Sequence, residues 1–181
     1  MLYTYYQSPL GKLLLASDGT ALTGLWIEGQ KYYCGGKPLK MDETKEKDDL
    51  PVFSAAKDWL DRYFSGKKPA ASELVLAPNG SDFRKAVWGI LCEIPYGQVI
   101  TYGDIARRMA EKMNRERMSG QAVGGAVSHN PISIIIPCHR VVGSNGSLTG
   151  YAGGIDRKIK LLELEGADLS RMFVPSKGTA L

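Results

Sequence analysis

The chain is poor in the residues that build disulfide and metal scaffolds. Its 181 residues include three cysteines and two histidines. Cys34, Cys92 and Cys138 form an odd set without framework spacing, which argues against a disulfide-stapled secreted module and fits a reducing, cytoplasmic setting. No stretch approaches the ~18 consecutive apolar residues of a membrane helix. The start, MLYTYYQSPLGKLLLASDG, has no basic stretch followed by an apolar block and a small-residue cleavage site, so no secretory signal is expected. Internal repeats and low-complexity tracts are absent too. With 44% hydrophobic and 23% charged residues, the composition is that of an ordinary globular chain, which excludes disorder throughout. The length suits one ordinary domain or two small ones.

The net charge of +4 is unevenly placed. Residues 1–78 balance 10 Lys/Arg against 10 Asp/Glu, whereas residues 79–181 hold 13 against 9. Arg107, Arg108, Lys112, Arg115 and Arg117 lie close together. A basic half points to an anionic partner, with nucleic acid first among the candidates; a solvated basic helix face is the alternative.

Residues 1–27 read as an antiparallel meander. Leu2–Tyr6, Leu13–Ala16 and Leu22–Ile27 are strand-like, and Ser8-Pro9-Leu10-Gly11 and Asp18-Gly19 are turn chemistry. Residues 35–49 are polar and predict a mobile surface loop. A helix follows Pro51, with Phe53, Ala56, Trp59, Leu60 and Tyr63 at helical spacing and Gly66 as its stop. Leu74–Leu76 suggest a last strand, and Pro78-Asn79-Gly80 sets the expected boundary between residues 1–78 and 79–181.

The second half reads as helical. Ser81 caps a helix carrying Phe83, Val87, Trp88, Ile90 and Leu91, and Ile94-Pro95-Tyr96-Gly97 breaks it. Thr101 caps a second helix from Tyr102 to about Met113. After the charged connector 114–118, Ser119 opens a third helix nearly bare of bulk, Gln121 to Val127, which ends at His129-Asn130-Pro131. This pattern suggests a helix-turn-helix whose smooth second helix can approach DNA; tight helix–helix packing through the glycines is the alternative.

The reactive segment is 132–143, ISIIIPCHRVVG. Cysteine is the strongest ordinary nucleophile once it is a thiolate, and burial among isoleucines opposes ionisation, so a base must take the proton. His139 is adjacent. Neighbouring residues of an extended chain face opposite ways, so Cys138 and His139 cooperate only if the chain turns after Pro137 or a water bridges them. A carboxylate orienting the imidazole completes such a set, and Glu163 and Glu165 are the candidates. A buried inert thiol, a zinc site from His129, Cys138 and His139, and a cysteine hydrolase are the competing readings.

Pro137-Cys138-His139-Arg140-Val141 resembles the active-site signature of the O6-alkylguanine-DNA alkyltransferases, also called methylated-DNA–protein-cysteine methyltransferases. Pro95-Tyr96-Gly97 to Thr101-Tyr102-Gly103, Ala122-Val123-Gly124-Gly125-Ala126, Asn130-Pro131, and Tyr151-Ala152-Gly153-Gly154 with Leu161–Gly166 match the family in order. The resemblance implies an α+β fold: a small N-terminal antiparallel-sheet domain, ribonuclease H-like, and a helical C-terminal domain with a helix-turn-helix, winged-helix-like. It implies direct repair of duplex DNA. The alkylated guanine, mainly O6-methylguanine and by extension O4-methylthymine, is flipped out because its substituent is unreachable inside the stack. The alkyl group then passes irreversibly to the protein's own cysteine in one turnover. No cofactor or metal is implied, no membrane, and a monomer is expected. A lesion-binding protein without transfer, or a helix-turn-helix regulator, would be the alternatives on the same fold.

Carried onto this chain, the resemblance makes Cys138 the acceptor, His139 the base through a water, Glu165 the holder of the imidazole and Asn130 the residue that shapes the turn. Tyr102 would donate a proton to the departing guanine. Val141, Tyr151, Ala152 and Lys158 would line the base site: the Cys138 and Val141 carbonyls facing the exocyclic amine, the Ala152 N–H facing O6, and Lys158 assisting the leaving group or lying at the surface. Arg140 would brace the two domains. Gln121, Ala122 and Gly124 would face DNA. Where the family commonly carries an arginine that fills the gap left by the flipped base, this chain has Gln121, which lacks the charge and stacking plane of arginine. Arg115 or Arg117, on a connector longer than in many relatives, would then take that part.

Overall fold

The computed structural model describes residues 1–36 and 44–176. They form two compact units, Met1–Asn79 with Pro131–Ile135, and Gly80–Asn130 with Ile136–Leu181. The class is α+β, as expected.

In the first unit, β1 (Leu2–Ser8), β2 (Gly11–Ser17) and β3 (Leu22–Ile27) form the predicted meander. Leu13, Leu14, Leu15 and Ala16 of the central strand are all fully buried. That requires cover on both faces of the sheet, since successive side chains alternate. One face packs Leu14 and Ala16 with Tyr3 and Trp26, under Tyr5, Tyr33 and Cys34. The other is covered by α1 (Pro51–Phe64), which contacts all three strands and buries Phe53, Ala56, Trp59, Leu60 and Tyr63. Proline at the first helical turn costs that helix no hydrogen bond.

Two expectations need correction. Of the polar stretch 35–49, residues 37–43 lie outside the described residues, but 44–49 is tied down. β4 (Lys45–Glu46) pairs parallel with β1, the Lys45 and Lys47 amides donate to the Met1 and Tyr3 carbonyls, and Asp48 accepts from Thr4 and pairs with Lys57. The open edge of β1 offers backbone groups that the segment satisfies, and that outweighs its polar composition. Leu74–Leu76 makes only a single bridge, Leu76 beside Leu22. Ile132 bridges Leu25 further along the same strand edge.

In the second unit, α2 (Asp82–Cys92), α3 (Tyr102–Lys112) and α4 (Gly120–Ser128) pack pairwise. Their caps are the predicted ones. The Ser81, Thr101 and Ser119 hydroxyls accept from backbone amides, and Asp104 returns a bond to Thr101 as a capping box. α3 stops at Asn114, which takes the left-handed conformation (φ 50°) while the Arg115 amide reaches back to the Ala110 carbonyl at 2.9 Å. The Trp88 indole donates to the Ala126 carbonyl at 2.9 Å and locks α2 to α4. Residues Cys138–Arg140 form a 3₁₀ turn, Val141–Val142 (β6) pairs with Ile100–Thr101 (β5), and α5 (Ile155–Leu164) follows.

The glycines of α4 do not serve helix packing. A Cβ built on Gly124 or Gly125 meets nothing within 4 Å. Their surface is bare towards open space, which removes the tight-packing alternative. A second feature escaped the sequence. The segment after α5 folds back, with the Leu148 amide donating to the Phe173 carbonyl (2.9 Å) and the Phe173 amide to Gly146 (3.2 Å). Leu169 and Met172 pack on Val142, Leu148 and Leu162. This tail pins the loop leading to Thr149, Gly150 and Tyr151.

Candidate active site

The reactive turn is assembled by unusual local backbone. The Cys138 amide donates to the Ile136 carbonyl at 2.8 Å across Pro137 (φ −81°, ψ 63°), an inverse γ-turn that proline's fixed φ favours. The chain then enters the 3₁₀ turn of Cys138–Arg140. The chain therefore turns between Cys138 and His139 instead of running extended, which is the condition for the two side chains to cooperate. Asn130 anchors it: its Nδ2 donates to the Ile136 carbonyl at 2.8 Å and to the Cys138 Sγ at 3.0 Å. Asn130 therefore touches the sulfur itself, a closer role than shaping the turn.

Cys138 is buried. Burial pushes its thiol up, while the Asn130 bond, the nearby Lys158 charge and the Cys138 and His139 amides pull the other way. The thiolate thus has donors waiting but needs an acceptor for its proton. His139 is fully buried beside it, with Nε2 2.7 Å from Glu165 Oε1. Burial lowers the imidazole, the Glu165 bond and charge oppose this, and Arg140 and Lys158 add to the lowering.

Glu165, at the C-cap of α5, is the meeting point. Oε1 accepts from His139 and from Arg140 Nη2 at 2.9 Å. Oε2 accepts from Arg140 Nε at 2.8 Å and from the Gly97 amide at 3.1 Å. Burial alone would raise this carboxyl, but His139 and Arg140 outweigh it and hold it far below the usual carboxylate range. Glu163 is exposed, which decides between the two candidates. Gly97 is required at its place: φ is +77°, and a Cβ there would stand 2.6 Å from the Glu165 carbonyl oxygen.

The remaining predicted residues divide. Lys158 is fully buried, not at the surface; Nζ donates to the Val141 carbonyl (2.5 Å) and the Thr149 carbonyl (2.8 Å), and burial pulls its pKa down to about 8. The Val141 carbonyl expected to face a base is therefore already shared with a lysine. The Tyr102 hydroxyl makes long bonds to the Thr149 and Gly150 carbonyls, 3.3 and 3.4 Å, and burial raises its pKa so that it keeps its proton. Gly150 (φ +81°) permits that approach, because a Cβ there would lie 2.2 Å from the hydroxyl. Tyr151 sets its ring edge-on to His139 at 6.3 Å, and its buried hydroxyl has no hydrogen-bond partner among the described residues. Ala152 is half-buried next to it. Arg140 was expected to brace the two domains; its bonds go instead to Glu165 and to the Ile94 carbonyl (2.6 Å), within the second unit. Lysine, arginine and the tail carry what sequence reasoning missed. The run Cys-His-Arg signalled Arg140, but nothing local reveals a partner 25 positions away.

Gln121 and Ala122 are exposed and Gly124 half-buried on α4. Arg115 and Arg117 are exposed on the connector and line a cavity of about 420 Å³ against α3, with Arg107, Glu111 and Glu116. Among the described residues no group of three or more His, Cys, Asp or Glu side chains is placed to hold a metal ion.

A buried thiol bonded by Asn130, a His139–Glu165 pair on the adjoining turn and a helix-turn-helix arrangement on the same unit together match the class of cysteine nucleophiles carried on a helical binding unit. Family models specify it. Residues 1–78 match the ribonuclease-like domain, and residues 82–167 the DNA-binding domain, of 6-O-methylguanine DNA methyltransferase. The chain belongs to that family. It is 44% identical over 163 residues to the methylated-DNA–protein-cysteine methyltransferase of Haemophilus influenzae, covering 90% of this chain and 85% of that one. It is 45% identical to that of Methanosarcina barkeri, covering 91% and 97%. A crystal structure of Mycobacterium tuberculosis OGT in complex with DNA superposes with a TM-score of 0.76 at 40% identity, covering 97% of this chain and 96% of that one. These relatives do not favour the lesion-binding or regulator readings.

The clustering of charge on Glu165 gives a stability prediction. Replacing Glu165 by Ala leaves the buried Arg140 guanidinium uncompensated and should cost about 3–5 kcal/mol at neutral pH. The carboxyl is depressed in the folded state, so its contribution is present above the unfolded value of about 4.3 and is lost as pH falls below it. Urea unfolding should show the gap between wild type and Glu165→Ala narrowing as pH drops through that range. A gap that stays constant into acid would contradict the ionised carboxylate.

Proposed function

We propose that this chain repairs O6-alkylguanine in double-stranded DNA by moving the alkyl group to Cys138 Sγ, once per molecule. The observation that carries the reading is Cys138 buried at the end of an Asn130 hydrogen bond, with His139 and Glu165 behind it. As the base enters, the thiol proton passes to His139 through a water. The sulfur attacks the alkyl carbon, the S–C bond forms and the C–O bond breaks, leaving its electron pair on guanine. The Glu165 carboxylate stabilises the imidazolium. The Tyr102 hydroxyl exchanges its two long bonds to loop carbonyls for one to the departing base and passes it a proton, which the imidazolium returns to Tyr102 through water, so that the thiol proton ends on guanine. Lys158 holds the walls of the base site through Val141 and Thr149, and its charge favours thiolate and leaving group alike. The Tyr151 hydroxyl and the Ala152 amide supply further polar contacts to the flipped base. The thioether is inert, so no cofactor regenerates the acceptor, and a reduced thiol suits the cytoplasm and a protein acting as a monomer.

On the DNA side, the bare face of α4 around Ala122 and Gly124 fits close approach to the duplex. Gln121 stands at its exposed start, and Arg115 and Arg117 supply phosphate contacts and the cation that Gln121 lacks.

Two experiments test this reading. Cys138→Ala should abolish loss of the methyl group from an O6-methylguanine duplex while its binding stays within about threefold of wild type, a difference of under 1 kcal/mol; continued demethylation would remove Cys138 as acceptor. Gly124→Ala should raise thermal stability, because alanine is the better helix former by up to about 1 kcal/mol and no neighbour is touched. The same methyl group should weaken duplex binding. Unchanged affinity would show that the bare face of α4 does not meet DNA.

A further inference from the structure

The carboxylate in this site does not have the freedom of an ordinary catalytic carboxylate. Where an acidic residue simply backs a histidine, its full charge favours the imidazolium at rest, and an imidazolium cannot accept a thiol proton. Here a guanidinium lies against the same carboxylate in a two-point contact, Nε to Oε2 at 2.8 Å and Nη2 to Oε1 at 2.9 Å. Its third nitrogen, Nη1, is held by the Ile94 carbonyl at 2.6 Å. The Arg140 side chain is 10% exposed and those of Glu165 and His139 not at all, so solvent does little to screen the three. The Gly97 amide adds a fourth donor to the carboxylate. Arg140 also has the Tyr96 ring 5.6 Å away, and Tyr96 itself reaches the Leu164 carbonyl.

We propose that Arg140 is a positioning residue for the transfer step: its guanidinium clamps Glu165 and offsets its charge, so that His139 rests as a neutral base and becomes the imidazolium only when the thiol proton arrives. Glu165 then has two tasks that one free carboxylate performs poorly together. It must aim His139 through the 2.7 Å bond, and it must not keep His139 charged beforehand. The fork geometry of arginine meets both demands, since it fixes both carboxylate oxygens while supplying an opposite charge. The groups that act on His139 are Glu165, Arg140 and Lys158, with the Tyr151 ring T-shaped against it and Cys138 next to it in the chain; those that face Arg140 are Glu165, His139, Cys92 and Tyr96. Of these, Glu165 alone raises the imidazole, and Arg140 is the cation bonded to it.

The proposal rests on Cys138 as acceptor for its rate readout, but not for its readout at the imidazole. The test follows His139 by NMR, assigned against His129→Gln, and in parallel the single-turnover rate on an O6-methylguanine duplex from about pH 5 to 9, the range in which histidine titrates. In Arg140→Gln the His139 midpoint should rise by about one pH unit or more, and the acid limb of the rate should move up with it while the alkaline plateau changes less. Arg140→Lys keeps a charge but not the fork, so a smaller rise in both is expected; this variant carries the test if the glutamine protein does not fold. An unmoved His139 midpoint, with the rate falling equally at every pH, would reduce Arg140 to a structural brace and overturn the proposal. A shifted midpoint with no transfer to Cys138 in the wild type would leave the clamp standing and remove the acceptor instead.

Discussion

One buried carboxylate organises the second unit of this protein. Glu165 draws together the end of α5, the Ile94–Gly97 turn through Gly97, and the 3₁₀ turn through His139 and Arg140. Burying a charge is costly unless it is paired and fully hydrogen-bonded, and four donors meet that condition here. The constraint runs outward from it. Gly97 has to lack a side chain, Arg140 has to point inward and His139 has to present its Nε2 to the carboxylate, with its ring T-shaped against Tyr151. The reactive thiol is positioned as the next residue along the same turn. Its own fine control comes from the other side, through the Asn130 amide.

The two ends of the unit have opposite packing logic. Around Glu165 both carboxylate oxygens are met by donors, and small departures would leave a charge exposed to a low-dielectric interior. Along α4 the surface is left vacant: Gly124 and Gly125 have no intramolecular neighbour that requires their smallness. A helix gives up stability by carrying glycine, so a vacant glycine face is explained by something outside the chain. In the reading proposed here, that something is the duplex. The loop bearing Thr149, Gly150 and Tyr151 joins both regimes, since it is pinned behind by the tail at Phe173 and in front by Lys158.

Much of this was legible in the residues. The meander, α1 and the caps Ser81, Thr101 and Ser119 follow from short-range pattern, where turn and capping chemistry are local. The Cys138–His139 turn follows from Pro137, and Glu165 over Glu163 from family spacing, which burial supports. What sequence did not disclose depends on long-range closure. β4 was hidden in a polar stretch because its pairing is backbone-only, and backbone pairing leaves no side-chain signature. Lys158 stayed open between a leaving-group role and the surface because its burial depends on two distant carbonyls. Arg140 was assigned to brace the two domains because nothing adjacent to it shows that Glu165 and the Ile94 carbonyl converge there. The tail lacked a motif because its anchors, the backbone bonds at Phe173 and the packing of Leu169 and Met172, both depend on partners far away in the chain.

The proposed mechanism stands on Cys138 as the single, irreversible acceptor. Intact-mass analysis after mixing the protein with excess O6-methylguanine duplex addresses it directly. The account predicts a gain of one methylene mass per molecule, mapped by peptide analysis to Cys138 and not increasing with time. Continued turnover without a mass change, or methylation at Cys34 or Cys92 instead, would contradict it.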